Sequence, residues 1–246
     1  MRLLGIDIET SAATVSTWGI WNANIGINQI QVPTRVICFA ARWEGQRRSM
    51  FFSEFEHGHE EMVRQAHALL DEADAVMGWN SKGFDIPHLN REFLLLGLKP
   101  PAPFQQIDLM LAVKKQFRFL SNKLDWVSQQ VIGDRKVQHS GYSLWEACLR
   151  GDEKAWRLMA KYNRQDVDLL FTLYEQLKPW IPSHPNRALI DGVSDGCPAC
   201  GGTHLQRRGW AFTKVSEYPR YQCQDCGKWS RGQAREIGSS RTEVAA

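Results

Sequence analysis

The chain has 246 residues, of which 43% are hydrophobic and 23% are charged. These proportions are typical of a folded globular protein, and they exclude a disordered, collagen-like or coiled-coil chain. No apolar run approaches the roughly 20 residues that a membrane-spanning helix needs. The N-terminus reaches acidic residues too early for a secretory signal, so we expect a cytoplasmic protein with no membrane partner.

The positive charge of the chain is concentrated near its C-terminus. Residues 1–181 carry 21 basic and 21 acidic side chains, whereas residues 197–235 carry 7 basic and 2 acidic ones. A neutral body with a cationic C-terminal part suggests a polyanionic partner for that part. A solvated surface is the alternative interpretation.

The predicted elements begin with strands and end with helices. Apolar and β-branched stretches predict strands over residues 2–8, 17–21 and 35–43. The stretch over 22–34 is typical of a loop or hairpin excursion, whose role is left open. An amphipathic helix over 58–73 precedes a short strand over 75–79. Further helices are predicted over 87–96, 109–117, 123–131, 144–149 and 153–177. This order predicts a mixed α/β body.

The chain then changes character. Three prolines in the segment KPWIPSHPN interrupt the helical pattern. We therefore expect a body over residues 1–181, a linker over 182–189, a small separate unit over 190–237 and a flexible tail over 238–246.

Two carboxylates stand one residue apart on the first predicted strand. Side chains alternate along a strand, so Asp7 and Glu9 point to the same face. Like charges at this separation repel each other, and a bound cation would neutralise them. A solvent-facing strand end is the alternative interpretation.

Three further candidates lie far along the chain. Asp85 follows the predicted strand over 75–79 in the turn-rich stretch NSKGFD, where the alternative is a helix cap. Tyr162 and Asp166 lie four residues apart on the last long helix and share one face of it. The alternative for this pair is ordinary packing with a hydrogen bond.

Taken together, these motifs resemble the DEDD superfamily of 3′–5′ exonucleases in its tyrosine-containing subclass, called DEDDy. That family has Asp-x-Glu, then Asn-x(2–3)-Phe/Tyr-Asp, then Tyr-x(3)-Asp, and this sequence reads DIET, NSKGFD and YNRQD in the same order. The resemblance covers residues 1–181. It is nearest to stand-alone domains related to the proofreading domains of family B DNA polymerases, including phage-encoded versions.

The resemblance implies a ribonuclease H-like fold, with a mixed sheet between helices, and two divalent cations, Mg²⁺ or Mn²⁺. In such an enzyme Asp7 would bridge both ions, and Glu9 and Asp166 would complete the ion site that activates water. Asp85 would hold the second ion largely through water, and Tyr162 would orient the attacking water. Independently of the family, carboxylates are ligands that favour Mg²⁺ or Mn²⁺ over zinc, and two such ions suit phosphodiester hydrolysis.

The same resemblance implies contacts with the substrate. Thr10, Asn80 and Phe84 match positions that lie on the substrate side in related exonucleases. DNA is favoured over RNA as the nucleic acid, and a separate polymerase or replication protein is a further partner that the family suggests.

Four cysteines form two Cys-x-x-Cys pairs near the C-terminus. Cys197 and Cys200 are followed, after 22 residues, by Cys223 and Cys226, and a glycine stands directly after each pair. Four thiolates at such spacing fit one tetrahedral structural Zn²⁺, and an extra hairpin can absorb the long separation. We therefore expect a zinc ribbon, whose cations and aromatic residues suit nucleic acid or, alternatively, a protein partner.

The sequence thus predicts a metal-dependent 3′–5′ exonuclease with a C-terminal zinc ribbon, acting on single-stranded or recessed 3′ ends. Two alternatives remain. One is a catalytically silent nucleic-acid-binding or processivity module, and the other is a ribonuclease H-like endonuclease. The complete set of acidic residues disfavours the first alternative, and the Tyr-x(3)-Asp helix disfavours the second.

Overall fold

The computed structural model describes residues 1–19, 21, 24–134, 141–214 and 216–232. The chain divides into two compact units, one spanning Arg2–Leu173 and the other running from Tyr174 to the C-terminus together with Met1. The division falls inside the last long helix. The limits of body, linker and ribbon that the sequence suggests stay predictions, and the expected tail over 238–246 lies outside the described residues. Within the described ranges, no helix combines the length and apolar character needed to cross a bilayer.

The larger unit is built on a mixed five-stranded sheet. The strands of this sheet are β1 (Leu3–Thr10), β4 (Val36–Trp43), β5 (Met50–Ser53), β6 (Ala75–Gly78) and β7 (Gln105–Asp108). Two short strands, β2 (Thr14–Val15) and β3 (Ile30–Val32), form a separate pair. The order across the main sheet is β5-β4-β1-β6-β7. β1 runs antiparallel to β4 and parallel to β6. It is therefore the central strand, and residues that it carries sit in the middle of the sheet.

Seven helices of the described chain begin within the larger unit. They are α1 (Glu54–His57), α2 (His59–Asp71), α3 (Asp85–Leu95), α4 (Leu109–Gln116), α5 (Leu124–Ile132), α6 (Tyr142–Leu149) and α7 (Glu153–Leu177). The expected mixed sheet flanked by helices is confirmed. The helix predicted over 153–177 has the bounds observed, and the other predicted helices are correct to within a few residues.

The strand predicted over residues 17–21 is wrong. The described residues of that range form no strand, and the local pairing is made instead by β2 with β3. Trp18 and Trp21 are almost fully exposed, so their strand propensity finds no sheet face to pack against. Two strands were also missed, β5 and β7. Both have four residues and lie at the edges of the sheet, where a short strand has little periodic signal.

The two faces of β1 carry different chemistry. Leu4, Ile6 and Ile8 point into a buried core that includes residues of α2 and α3. Gly5, Asp7 and Glu9 point to the other face, because side chains alternate along a strand. A Cβ atom added at Gly5 would lie 2.5 Å from Cε2 of Phe171 on α7. The missing side chain at Gly5 therefore lets α7 approach the face that bears the two carboxylates.

The smaller unit contains a three-stranded antiparallel sheet. After the short helix α8 (Arg187–Ile190) come β8 (Leu205–Phe212), β9 (Glu217–Cys223) and β10 (Trp229–Arg231), in the order β10-β9-β8. β8 and β9 are the hairpin that occupies the long separation between the two cysteine pairs. The described part of this unit therefore has the strand arrangement expected of a ribbon.

Candidate active site and cysteine cluster

Three carboxylates from distant parts of the sequence meet beside the central strand of the larger unit. Asp7 and Glu9 lie on β1, and Asp166 lies on α7, the helix that crosses the same face of the strand. One oxygen from each of the three can be chosen so that all lie within 4.8 Å of one another. Asp166 is 1% exposed, while Asp7 and Glu9 are partly buried. The structure therefore brings together the predicted residues of the first and third motifs.

A residue that the sequence analysis missed holds Asp7 in place. Asn163 is fully buried, and its Nδ2 donates to the backbone oxygen of Asp7 at 3.1 Å and to its Oδ2 at 2.6 Å. These bonds fix both the strand and the carboxylate relative to α7. The sequence indicates Asn163 only by its position directly after Tyr162. An asparagine within a helix does not indicate a functional role until its hydrogen-bond partner is known.

Asp85 approaches β1 from the edge that faces β6. The two strands pair only through Leu3–Gly5 of β1, so the N–H of Ile8 lies beyond the ladder and donates to Oδ1 of Asp85 at 3.0 Å. Asp85 is 3% exposed and is the first residue of α3, so it is not the cap of this helix. It thus lies beside the backbone that joins Asp7 to Glu9, although it is not part of the close group of three among the described residues.

The environment of Asp85 disfavours its charge. Burial raises the pKa of Asp85 to about 7, and the hydrogen bonds from Ile8 and from its own backbone N–H oppose that rise only in part. The negative charge of Asp108 contributes to the same rise. A nearby cation would favour the ionised form of such a carboxyl.

Asp108 organises the loop that leads to Asp85. Its Oδ1 accepts from the N–H groups of Asn80 and Leu111, and its Oδ2 accepts from the N–H of Lys82, each at 3.1 Å. Asn80 adopts a left-handed backbone with φ of 65°, a conformation that asparagine tolerates better than most residues. Asp108 therefore has a structural role, because it shapes the turn after β6.

Tyr162 lies one helical turn before Asp166 and is 8% exposed. Its ring packs edge-on against Trp145, with centroids 6.1 Å apart. Burial raises the pKa of Tyr162 well above its usual value, and the charges of Asp166, Glu9 and Asp7 raise it further. The phenol therefore stays protonated at neutral pH and presents a hydrogen-bond donor to the carboxylate site.

A groove of about 430 Å³ opens beside Asp7. The groove is lined by residues of β1, the loop after β6, α4 and the start of α5. They are Asp7, Trp79, Asn80, Met110, Asn122, Lys123, Leu124 and Asp125. Of the three residues predicted to contact the substrate, Asn80 lines this groove. Thr10 ends β1 just after an irregularity in the strand register, and Phe84 is 38% exposed with its ring against His88.

Asp168 shows that position on the helix decides which carboxylates meet. It lies two residues after Asp166 on α7, and its Oδ1 accepts from Arg42 at 2.8 Å and from Ser49 at 2.7 Å. Asp168 is not part of the close group formed by Asp7, Glu9 and Asp166 among the described residues. Asp168 therefore provides a natural comparison for the clustered carboxylates.

The donor set of the carboxylate cluster fits a hard divalent cation. Three carboxylates held within 4.8 Å of one another repel strongly when ionised, and oxygen ligands of this kind suit Mg²⁺ or Mn²⁺. The buried hydrogen bonds from Asn163 fix one of the ligands before any ion binds, which is the arrangement of outer partners found around metal ligands.

The four C-terminal cysteines also converge. The cysteine cluster consists of Cys197, Cys200, Cys223 and Cys226, whose sulfur atoms lie within 4.8 Å of one another. The N–H groups of Ala199 and Gly202 point at two of these sulfurs, each at 3.4 Å. The glycines after each pair, Gly201 and Gly227, have φ of 78° and 81°, so the turns need the left-handed backbone expected there.

His204 does not join the cysteine cluster, because its Nδ1 lies 2.7 Å from Oδ1 of Asp225 and the ring is exposed. Four sulfur donors in this arrangement fit a single zinc ion, which matches the chemistry expected of a structural Cys₄ site. The identity of the metal remains a proposal.

A mixed sheet between helices, with clustered carboxylates on its central strand, defines the ribonuclease H-like class of fold. A family model described as the RNase_H superfamily matches residues 31–178. Because this match covers more than half of the chain, the chain belongs to that superfamily. Membership supports a nuclease activity in general terms. The match begins after β1, so it includes Asp85 and Asp166 but not Asp7 or Glu9.

A solved structure is similar in fold. The family B DNA polymerase from the hyperthermophilic archaeon Pyrobaculum calidifontis matches with a TM-score of 0.55 and 18% sequence identity. The match covers 87% of this chain and 32% of the polymerase, so this chain spans about a third of that protein's length. No curated protein matches the chain in sequence.

Proposed function

We propose that this chain is a metal-dependent 3′–5′ exonuclease of the DEDDy type that hydrolyses phosphodiester bonds at the 3′ end of DNA. The observation that carries the proposal is the meeting of Asp7, Glu9 and Asp166 within 4.8 Å, on a fold shared with the RNase_H superfamily. Asp166 lies more than 150 positions after Asp7 and Glu9 in the sequence, and the packing of α7 against β1 brings it to them.

In this proposal Asp7, Glu9 and Asp166 hold one divalent cation, and Asp85 contributes to a second. Such ions, Mg²⁺ or Mn²⁺, would supply an activated water and neutralise charge on the phosphate in an in-line displacement. The positions of the carboxylates would determine where the cations sit, and therefore where the negative charge of the phosphate is neutralised. Burial raises the pKa of Asp85 to about 7, so a nearby positive charge would favour its ionised form.

Tyr162 orients the attacking water. Its hydroxyl is protonated at neutral pH and lies on the same helix face as Asp166, so it can donate to an oxygen at the carboxylate site. A donor so placed restricts the orientation of water without taking its proton. Tyr162 therefore assists the reaction without being indispensable to it.

The groove beside Asp7 receives the terminal nucleotide in this proposal. Trp79 forms one wall, held by the bond from its Nε1 to the backbone oxygen of Asn122 at 3.1 Å, and Lys123 adds a positive charge. An aromatic wall next to a cation suits a base and its phosphate. Asn80, Thr10 and Phe84 are proposed as further substrate contacts.

DNA is proposed as the substrate because the similar solved structure is a DNA polymerase. The same likeness suggests a separate polymerase or replication protein as a partner, with removal of misincorporated nucleotides as the role. The Tyr-x(3)-Asp pair on α7 favours an exonuclease over a ribonuclease H-like endonuclease, and the complete carboxylate set favours an enzyme over a silent binding module.

The test is digestion of DNA labelled at the 5′ or the 3′ end, with Mg²⁺ or Mn²⁺ present. We expect stepwise shortening from the 3′ end, abolished in Asp7→Ala. The control is Asp168→Asn, which changes a carboxylate on the same helix whose partners are Arg42 and Ser49, and which should leave the activity near that of the unaltered chain. Internal cuts would support the endonuclease alternative, and binding without cleavage would support the silent module.

A further inference from the structure

One face of the ribbon sheet carries two arginines and two aromatic rings. Residues that pair across antiparallel strands share a face. The register pairs Arg231 with Arg220, and Trp229 with Gln222. Tyr218, two residues before Arg220 on β9, points to the same side. We call this set, Tyr218, Arg220, Trp229 and Arg231, the arginine face.

The two arginines are stacked on the two rings. Cζ of Arg220 lies 4.9 Å from the centroid of Trp229, and Cζ of Arg231 lies 4.6 Å from that of Tyr218. The two cations are therefore neighbours at the middle of the face, and each has one ring stacked on it. Stacking holds each guanidinium plane in place and reduces the entropy that a ligand would have to remove.

Within the part of the chain that the structure describes, no carboxylate forms an ion pair with the arginines of this face. Like charges directly opposite each other in a sheet are destabilising, yet Arg220 and Arg231 are such a pair and neither forms an ion pair among the described residues. The two acidic residues within 197–232 lie elsewhere. Glu217 points to the opposite face, paired with Phe212, and Asp225 accepts from His204. An anion bound between the two arginines would turn a repulsive pair into a binding site.

The face is also open and preorganised. Trp229 is 45% exposed, although it is one of the large apolar side chains of the ribbon. Nε of Arg220 donates to the backbone oxygen of Arg208 at 3.0 Å, and this fixes the guanidinium while its terminal nitrogens remain for another ligand. Residues 197–232 carry six lysines or arginines against these two carboxylates, so the surroundings also favour a polyanion.

We infer that the arginine face binds single-stranded DNA, with the guanidinium groups on successive phosphates and an unpaired base stacked on Trp229. Two adjacent cations beside the exposed ring of Trp229 suit unpaired bases, whose faces are free, better than a duplex, in which the faces are covered. The choice of DNA over RNA rests on the proposed function of the larger unit. The binding itself does not, because it uses no residue of the carboxylate site.

The experiment measures binding without cleavage. The full chain carrying Asp7→Asn, with no added Mg²⁺ or Mn²⁺, is titrated into a short fluorescent oligothymidylate between about 50 and 200 mM salt. Adding Arg220→Gln and Arg231→Gln should reduce the slope of log K against log salt by about 1.4, since each phosphate contact on a single strand contributes about 0.7. Adding Trp229→Ala instead should weaken binding about tenfold with little change of slope.

The matched control is Arg207→Gln, which removes an arginine stacked on Trp210 at 4.7 Å on the opposite face of the same sheet. It should leave the slope unchanged. Zinc content and circular dichroism verify that each variant keeps its ribbon. An unchanged slope in the double variant, or an equal loss in the control, would overturn the site. Tighter binding of oligouridylate would overturn the choice of DNA. Because cleavage is not measured, none of these results bears on the exonuclease proposal.

Discussion

Replacing Asp7 by asparagine should stabilise the protein while destroying its response to divalent cations. Asparagine is close to aspartate in size and can keep the contacts of Asp7 with Asn163, since its amide oxygen can accept the bond that Oδ2 accepts at 2.6 Å. What changes is the charge. The substitution removes one of three negative groups that lie within 4.8 Å of one another.

The size of the effect follows from Coulomb's law. Two unit charges at 4.8 Å repel by about 3 kcal/mol at an effective dielectric constant of about 20, and Asp7 takes part in two such pairs. Proton uptake relieves part of this repulsion when no cation is bound. We therefore expect a net gain of about 1–3 kcal/mol, which for a chain of this size raises Tm by roughly 3–10 °C.

The assay is thermal unfolding of both proteins in buffer without added divalent cations and again with Mg²⁺ or Mn²⁺. The unaltered chain should gain stability on adding either ion, because ligands that bind only the folded state stabilise it, and Asp7→Asn should gain little. Asp168→Asn is the comparison. Its amide oxygen can still accept from Arg42 and Ser49, but the ion pair with Arg42 loses its negative charge, so this variant should lower Tm slightly and keep the response to the cation.

Two results would refute the reasoning. A lower Tm for Asp7→Asn in metal-free buffer would mean that the three carboxylates do not repel one another in the folded protein. A full response to the cation in this variant would mean that Asp7 is not a ligand. We expect Asp7→Asn to be more stable and inactive, because groups that serve function at active sites are often unfavourable for stability.

Three further outcomes are expected. Tyr162→Phe should slow single-turnover cleavage about tenfold without abolishing it, because the hydroxyl orients a water and transfers no proton; an unaltered rate would reduce Tyr162 to packing. Chelation of zinc should expose the four thiols of the cysteine cluster to a thiol reagent, while the buried Cys38 and Cys148 stay protected; labelling of all six at once would argue for global unfolding. Burial of Glu92 opposes its charge, but hydrogen bonds from Arg91 and from a backbone N–H lower its pKa below 4.5. The stabilisation that ionised Glu92 gives to the folded state is therefore present above that pH, and it is lost as the pH falls through the lower pKa of the folded protein. Glu92→Gln should accordingly flatten the acid side of the curve of unfolding free energy against pH.

Local periodicity accounts for the features that the sequence predicts well. The alternation of side chains along β1 places Asp7 and Glu9 on one face of the strand. The 3.6-residue period of α7 places Tyr162 and Asp166 on one face of the helix, whereas Asp168 points to another. Each statement concerns residues a few positions apart, and the backbone geometry of a single element is sufficient for it. The same holds for the turns at Gly201 and Gly227.

Partners across long separations could not be predicted in this way. Asn163 has no motif of its own, and its role exists only because α7 crosses β1 where Gly5 has no side chain. Asp85 was expected on chemical grounds, but its bond to the N–H of Ile8 depends on where β6 ceases to pair with β1.

The sequence by itself determined the ligand types, the elements that carry them and the residues that share a face, because these follow from side-chain chemistry and from the repeat of one helix or strand. Only the tertiary structure decided which faces meet. The distance between the carboxylates of Asp7 and Asp166, and the placing of Arg220 directly opposite Arg231, are set by the packing of separate elements and by strand register. Neither quantity is encoded in any local stretch of the chain.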